Sequence, residues 1–283
     1  MESGHFPTNI WRPFRQHTLA LEIMLDHMAT TANVLEASAF YRTRKALKSG
    51  AGKLLDILLP RHCLMCGMAS GGSNLCPPCR ADLPKTAQRC KQCGLPLPGN
   101  GDARCGACLQ RTPPWDRVVA ALDYCFPTDV LVQRFKFSRN LACGKVLAEE
   151  LAYALNKEGE EPKLPHAVVP VPLHRIRHAS RTFNQSELLA KRAAHALGVP
   201  FMPRLLLRNR QTHAQSGLDA RSRRRNTRGA FHCRSKQAIG LQHVALVDDV
   251  MTTGATLEAC TRELKRCGVG EVSIWVVARA PPP

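Results

Sequence analysis

Aromatic side chains are scarce in this sequence, where 3 Trp, 3 Tyr and 9 Phe make up 5% of 283 residues. Because single-stranded nucleic acid is often bound by stacking bases on a series of rings, the composition does not predict an extended stacking platform. Long apolar runs are also lacking, and none approaches the roughly 18–20 residues that span a bilayer. Glu22, Asp26 and His27 interrupt the N-terminal stretch that could have formed a signal-peptide core. The sequence therefore predicts a cytoplasmic protein without a transmembrane segment.

Acidic residues are also few compared with basic residues. Asp and Glu total 22 against 40 Lys and Arg, which gives a formal net charge of +18. Such an excess favours polyanionic partners, namely nucleic acid, phosphorylated metabolites or an acidic membrane surface. The net charge does not discriminate among them, and a peripheral location at the inner membrane stays open.

Cysteine is abundant, and its spacing indicates metal binding. Eight of the 13 cysteines form four Cys-x-x-Cys knuckles, which are Cys63/Cys66, Cys76/Cys79, Cys90/Cys93 and Cys105/Cys108. Without a secretory signal, paired knuckles favour metal sites over disulfides. Four thiolates suit tetrahedral structural zinc, so we expect one or two zinc ions, with an iron–sulfur cluster as the alternative. Pairing in sequence order gives two sites of four cysteines each, but a cross-braced pairing is also possible.

Residues 244–256 form the most informative segment for function. An apolar, β-branched run ends in Asp248 and Asp249, and the loop Thr252-Thr253-Gly254-Ala255-Thr256 then leads into a helix-forming segment, residues 257–267. A helix N-terminus favours an anion, and a glycine lets the backbone approach a phosphate closely. Two neighbouring carboxylates suit ribose hydroxyls or Mg²⁺ carried by a phosphorylated sugar. The alternative is an ordinary strand-to-helix turn capped by Thr252 or Thr253.

The segment resembles the phosphoribosyl-pyrophosphate (PRPP) motif of type I phosphoribosyltransferases. The resemblance implies that Asp248 and Asp249 contact the ribose and that residues 252–256 hold the 5′-phosphate. A pyrophosphate must then be bound as well, and residues 169–175 end a predicted strand with the turn that carries His174 and Arg175. A basic segment with Arg221, Arg224 and Arg225 is placed to be the mobile loop that closes over the substrate, or a surface that contacts nucleic acid.

Beyond residues 111–114, strand and helix patterns alternate. Strands are predicted over 118–122, 167–171 and 272–278, helices over 129–136, 141–155 and 184–197, and a basic loop over 207–228. This alternation predicts an α/β fold with a mostly parallel sheet covered on both faces. Ligands of such sheets bind outside the carboxyl ends of the strands.

Most of the chain resembles the ComF family. The similar stretches include residues 54–60, 90–97, Phe135-Lys136-Phe137, 169–174, 183–190, 224–231 and 247–256. The resemblance implies a double zinc ribbon over residues 52–112 and a type I phosphoribosyltransferase domain over 113–283. Residues 1–51 lie outside the resemblance, and we expect them to form an N-terminal extension, either helical or disordered. The resemblance further implies binding of PRPP with Mg²⁺, of single-stranded DNA, and a role in natural competence or the use of external DNA, with the DNA-import machinery as a possible partner.

The sequence is compatible with three functions. The first is an enzyme that transfers the phosphoribosyl group of PRPP, in which His174 and Arg175 face the pyrophosphate. The second is a zinc-ribbon protein that binds nucleic acid or PRPP without turnover. The third is a regulator whose affinity for DNA responds to PRPP. The acceptor substrate is not indicated by any motif in the sequence.

Overall fold

A four-stranded parallel sheet forms the centre of the fold in a computed structural model that describes residues 61–98, 104–157, 164–173, 183–209 and 229–281. Its strands are β1 (Arg117–Asp123), β2 (Ala167–Pro170), β5 (His243–Met251) and β6 (Glu271–Arg279), arranged in the order β1-β6-β5-β2. Their nearly continuous apolar runs are typical of strands that are buried on both faces. The order places β5, which carries the acidic pair, inside the sheet between β6 and β2.

Helices cover both faces of this sheet, which confirms the predicted α/β fold. The described helices are α1 (Pro77–Ala81), α2 (Gly106–Gln110), α3 (Thr128–Phe137), α4 (Leu141–Lys157), α5 (Gln185–Leu197), α6 (Ser235–Ala238) and α7 (Ala255–Arg266). Val247 and Val277 lie in one core cluster with α3, α4 and α5. Leu246 and Val276 lie in a second cluster with α7. Because neighbouring strand residues point to opposite faces, one run of sequence supplies both cores.

One predicted boundary is wrong. The basic loop predicted over residues 207–228 begins too early, since Leu206–Arg208 forms strand β3, which pairs antiparallel with β4 (Phe231–Cys233) outside the main sheet. Strands of three residues are too short to show a periodicity in sequence. Residues 210–228 lie outside the described part, as do residues 1–60 with the predicted N-terminal extension.

The cysteine knuckles pack directly on the α/β domain. Arg80, at the end of the knuckle helix α1, forms ion pairs of 2.9 Å with Glu149 and with Glu150 on α4. A separate contact joins the Cys90/Cys93 knuckle to the sheet, because the Val118 N–H of the edge strand β1 donates to the Lys91 carbonyl at 2.7 Å. Residues His62–Pro283 accordingly form one structural unit. Among the described residues, every helix is too short or too polar to cross a bilayer.

Candidate functional site

The acidic pair lies near the carboxyl end of β5, and each carboxylate has its own partner from a different helix. The Ser186 hydroxyl, in the first turn of α5, donates to Asp248 Oδ1 at 2.8 Å. Lys136 Nζ, near the end of α3, lies 3.0 Å from Asp249 Oδ2. The two acids therefore differ in chemistry, since a hydroxyl contacts one and an ammonium neutralises the other.

Burial raises the pKa of Asp248 to about 7, and the negative charge of Asp249 adds to this increase. The Ser186 hydrogen bond and the Lys136 charge act in the opposite direction but do not cancel it. Burial also acts to lower the pKa of Lys136, but the attraction of Asp249 outweighs it and the pKa is raised. Lys136 is therefore a permanent cation at neutral pH, whereas Asp248 exchanges its proton near neutrality.

The loop after β5 enters helix α7 through a glycine in the left-handed conformation. Gly254 has φ of 75° and occupies the N-cap position of α7, which neither Thr252 nor Thr253 therefore takes. The alternative in which Thr252 or Thr253 caps the helix is therefore wrong. Thr252 is exposed and Thr253 is half-buried, so both lie within reach of a ligand beside the loop. A Cβ on Gly254 would lie 2.9 Å from Trp115 Cη2 and 3.1 Å from Met251 Cε, and only glycine fits there.

The predicted pyrophosphate residues His174 and Arg175 lie outside the described residues, as do the loop residues Arg221, Arg224 and Arg225. The strand that leads to His174 is described. Asn184 fixes its end, because the Asn184 amide donates to the Val171 carbonyl at 3.1 Å. The Asn184 side chain also accepts from the Ser186 N–H at 3.2 Å and so caps α5. The chain therefore enters the predicted pyrophosphate turn from a strand that neighbours β5.

Lys136 and Ser186 are site residues that the sequence motifs do not indicate. Both lie in stretches that carry the family resemblance, but neither has a spacing that is typical of a ligand. Phe135, the neighbour of Lys136, is fully buried, and its ring lies 5.6 Å from that of Phe183. A Cβ on Gly144 of α4 would overlap the Phe135 ring, so the absence of a side chain there lets α3 pack closely. This packing fixes the position of Lys136.

The eight knuckle cysteines form two separate clusters in sequence order. Cys63, Cys66, Cys76 and Cys79 form the first, and Cys90, Cys93, Cys105 and Cys108 form the second, with the sulfur atoms of each cluster within 4.8 Å of one another. The Sγ atoms of Cys66 and Cys76 are 3.7 Å apart, and those of Cys93 and Cys105 are 3.6 Å apart. Four thiolates bound to zinc at about 2.3 Å would be separated by about 3.8 Å. Both clusters fit structural zinc.

The sulfur atoms of each cluster influence one another's protonation. Hydrogen bonds with Cys76 and Cys66 raise the pKa of Cys79 to about 12. A zinc ion bound among the four sulfurs would favour their thiolate forms, because the thiolate is the form that binds the metal. In each cluster the four sulfurs occupy all the positions of a tetrahedral ion, which indicates a structural role.

Comparison with known proteins assigns both parts of the chain. Residues 54–109 match the family described as double zinc ribbon domain, and residues 144–282 match the phosphoribosyl transferase domain. Competence protein F of Haemophilus influenzae is 37% identical over 74% of this chain and 91% of the relative. DNA utilization protein YhgH of Salmonella typhi is 37% identical over 79% of this chain and 99% of the relative. Competence protein ComFC of Streptococcus pneumoniae is 32% identical over 52% of this chain and 60% of the relative.

Proposed function

Because this chain belongs to the ComF family, with competence protein F and the YhgH proteins as relatives, we propose that it has two ligands. PRPP with Mg²⁺ binds at the end of β5. Single-stranded DNA binds at the basic segment that contains Arg221, Arg224 and Arg225. The observation that carries the proposal for PRPP is the juxtaposition of Asp248 and Asp249 with the Gly254 loop at one strand end. The carboxylates suit the ribose, and the loop suits the 5′-phosphate. This ligand would place the protein in the cytoplasm.

Each group of the ligand has a candidate partner in the chain. Asp248, whose pKa is about 7, accepts from a ribose hydroxyl once it is ionised, and the Ser186 hydroxyl keeps its carboxylate in place. Residues 252–256 would surround the 5′-phosphate, and His174 and Arg175, which follow β2 in the sequence, would bind the pyrophosphate. Mg²⁺ bound with PRPP would offset the charge of the pyrophosphate as the bond between the ribose C1 and its oxygen breaks.

Lys136 is a cation that already lies at this site. Since it is 3.0 Å from Asp249 Oδ2, its ammonium neutralises that carboxylate. We propose that Lys136 keeps the pair from carrying two uncompensated charges in the free protein. The same ammonium would face the phosphates of a bound ligand, where its fixed charge adds to binding.

Calorimetric titration with PRPP tests this proposal. We expect binding that requires Mg²⁺ and weakens as the pH falls below 7, by about tenfold per pH unit, because the protonated form of Asp248 then predominates. At pH 8 and above the affinity should be constant. Ribose 5-phosphate, which lacks the pyrophosphate, should bind more weakly at every pH. The proposal fails if PRPP does not bind at pH 8, or if its affinity is the same at pH 5.5 and pH 8.

Whether the bound PRPP reacts is a separate question. Transfer requires an acceptor that attacks the ribose C1 while pyrophosphate leaves. Release of pyrophosphate in the presence of a base, a nucleotide or single-stranded DNA would show an enzyme. Binding without such release would show a PRPP-responsive or structural binding protein, the alternative to catalysis.

The proposal for DNA rests on charge and on the relatives, which are named for competence and DNA utilization. The net charge of +18 supplies an attraction to phosphates that does not depend on base sequence. The segment with Arg221, Arg224 and Arg225 is the densest run of cations in the sequence. We therefore propose that this segment contacts the DNA backbone.

Affinity for single-stranded DNA should fall steeply with salt, because each Lys or Arg contact releases counterions. Replacing Arg221, Arg224 and Arg225 with Ala should reduce the slope of log K against log salt by about 2, at roughly 0.7 per lost contact. A matched control replaces three exposed cations elsewhere, Lys191, Arg192 and Arg204. Fluorescence anisotropy measures both variants. Equal losses in the two variants would refute a role for the loop, and a salt-independent affinity would refute the proposal for DNA.

A further inference from the structure

A buried arginine connects the second cysteine cluster to residues 252–256, the loop that is proposed to bind the 5′-phosphate and is called the phosphate loop below. Arg279, the last residue of β6, is 6% exposed. Its Nε donates to the Cys93 carbonyl at 2.7 Å, and its Nη1 donates to the carbonyls of Met251 at 3.0 Å and Thr252 at 2.7 Å. Nη1 also contacts the Ala280 carbonyl. One guanidinium thus joins a zinc knuckle to the first residue of the loop that follows β5.

A second connection joins the same cluster to the same loop. Gln92, between the ligands Cys90 and Cys93, donates from Nε2 to the Trp115 carbonyl at 2.5 Å. Trp115 Nε1 donates back to the Gln92 carbonyl at 2.5 Å. The Trp115 ring lies against Gly254, where a Cβ would be 2.9 Å from its edge. The knuckle therefore fixes the ring that the glycine of the loop packs against.

The two cysteine clusters differ in the core that surrounds them. Among the described residues, the buried core of the second cluster consists of Cys90, Cys93 and Cys108, with Leu95, Leu97 and Cys105 packed against them. The first cluster shares the main core, in which Cys63 and Cys76 are grouped with residues of α3 and α4. A knuckle without a core of its own relaxes when its metal is lost. The bond of Arg279 to the Cys93 carbonyl and the bonds between Gln92 and Trp115 all involve that knuckle.

We propose that Arg279 is a positioning residue that couples the metal state of the second cluster to the phosphate loop. With metal bound, Arg279 and Trp115 hold residues 251–254 in the geometry that receives a phosphate. Loss of the metal releases the Cys93 carbonyl and the Gln92–Trp115 pair, and the loop loses that geometry. The inference deepens the proposed function and rests on it, since it assumes that the loop binds the 5′-phosphate. Linkage then requires that the bound ligand also protects the metal of the second cluster.

Hydrogen exchange of the loop tests the coupling without any ligand. Cys105→Ser removes a ligand of the second cluster, and Cys79→Ser is its matched control in the first, since both cysteines are half-buried. We expect Cys105→Ser to speed exchange of the amides in 251–256 by about tenfold, within the usual range of coupling between sites. Cys79→Ser should leave these amides within about twofold of the wild type. Equal exchange in the two variants would overturn the coupling.

Ribose 5-phosphate titrations of Arg279 variants, with zinc content measured in parallel, test the role of the guanidinium. Arg279→Met should weaken binding by about tenfold or more and retain two zinc ions per chain. Arg279→Lys keeps the charge but cannot donate to all the carbonyls, so it should also bind more weakly. If circular dichroism shows that Arg279→Met does not fold, the titration of Arg279→Lys tests the role of the guanidinium instead. Wild-type affinity in Arg279→Lys would then overturn the inference.

The two proposals fail in distinguishable ways. If the wild-type protein binds neither PRPP nor ribose 5-phosphate, the proposed function fails, while the exchange experiment still reports whether the cluster holds the loop. Suppose instead that the wild type binds both ligands, and that Cys105→Ser and Cys79→Ser have the same amide exchange in residues 251–256 and the same affinity for ribose 5-phosphate. The coupling is then wrong and the proposed function stands.

Discussion

The Asp248→Asn/Asp249→Asn double variant should bind PRPP at least about 100-fold more weakly than the wild type, since hydrogen bonds to a charged group contribute about 1.5–3 kcal/mol each. Asn has nearly the same shape as Asp, so Ser186 keeps an acceptor in place of Asp248 Oδ1, which it contacts at 2.8 Å. The charge that attracts a ribose hydroxyl or Mg²⁺ is lost. Calorimetry at pH 8, where the wild-type Asp248 is ionised, measures the difference.

The single variants should separate binding from stability. Asp248 has a folded-state pKa of about 7, raised from 3.8, so the folded protein becomes less stable as the pH rises through this range. Asp248→Asn should therefore be more stable than the wild type at pH 8 and gain nothing at pH 3.5. Asp249→Asn leaves Lys136 without its 3.0 Å partner and should be destabilised. Adding Lys136→Met should restore that stability without restoring PRPP binding.

A charge-matched control guards against a general electrostatic effect. Asp82→Asn/Glu187→Gln removes two negative charges as well, both from exposed side chains. This control should bind PRPP like the wild type. Unchanged PRPP affinity in the double Asp variant, or an equal loss in the charge-matched control, would contradict the placement of the ligand at β5.

Removing zinc should lower the thermal unfolding midpoint of the whole unit by about 10 °C or more, which corresponds to several kcal/mol for a chain of this size. Structural zinc contributes about 10–16 kcal/mol of binding free energy to small domains. Cys63, Leu75, Cys76 and Leu83 belong to the same core as Leu131 and Phe135 of α3. The sequence alone predicts that chelation unfolds residues 61–110 and spares the α/β domain. The shared core predicts instead that both lose stability.

Near-ultraviolet circular dichroism and calorimetry, with and without a zinc chelator, measure this effect. Chelator that is already saturated with zinc is the control, and restoring zinc should restore the midpoint. A preparation shown by elemental analysis to be metal-free, yet unfolding at the wild-type temperature, would contradict a structural role. Visible absorbance from bound iron in the purified protein would instead favour the iron–sulfur alternative.

Local patterns allowed much of the fold and site to be predicted. Strand β5, the acidic pair, the loop and helix α7 follow one another without interruption, so neighbouring residues reveal both structure and chemistry. The same is true of α5, which begins after its cap Asn184 and ends at Gly198 with φ of 66°. Each Cys-x-x-Cys knuckle likewise places two ligands on one turn. These features depend on backbone conformation over a few residues, which sequence spacing determines.

Only the tertiary structure decided which segments that are distant in the chain contact one another. The pairing of knuckles in sequence order, the ion pair of Lys136 with Asp249 and the hydrogen bonds of Arg279 depend on which elements lie side by side. The strand order β1-β6-β5-β2 brings the end of β6, with Arg279, beside Met251 and Thr252. The Cys90/Cys93 knuckle lies along β1. The sequence by itself determined a strand, an acidic pair, a phosphate-sized loop and four metal knuckles. Packing determined which side chains surround them, because periodicity shows that a face is buried but not against what it is buried.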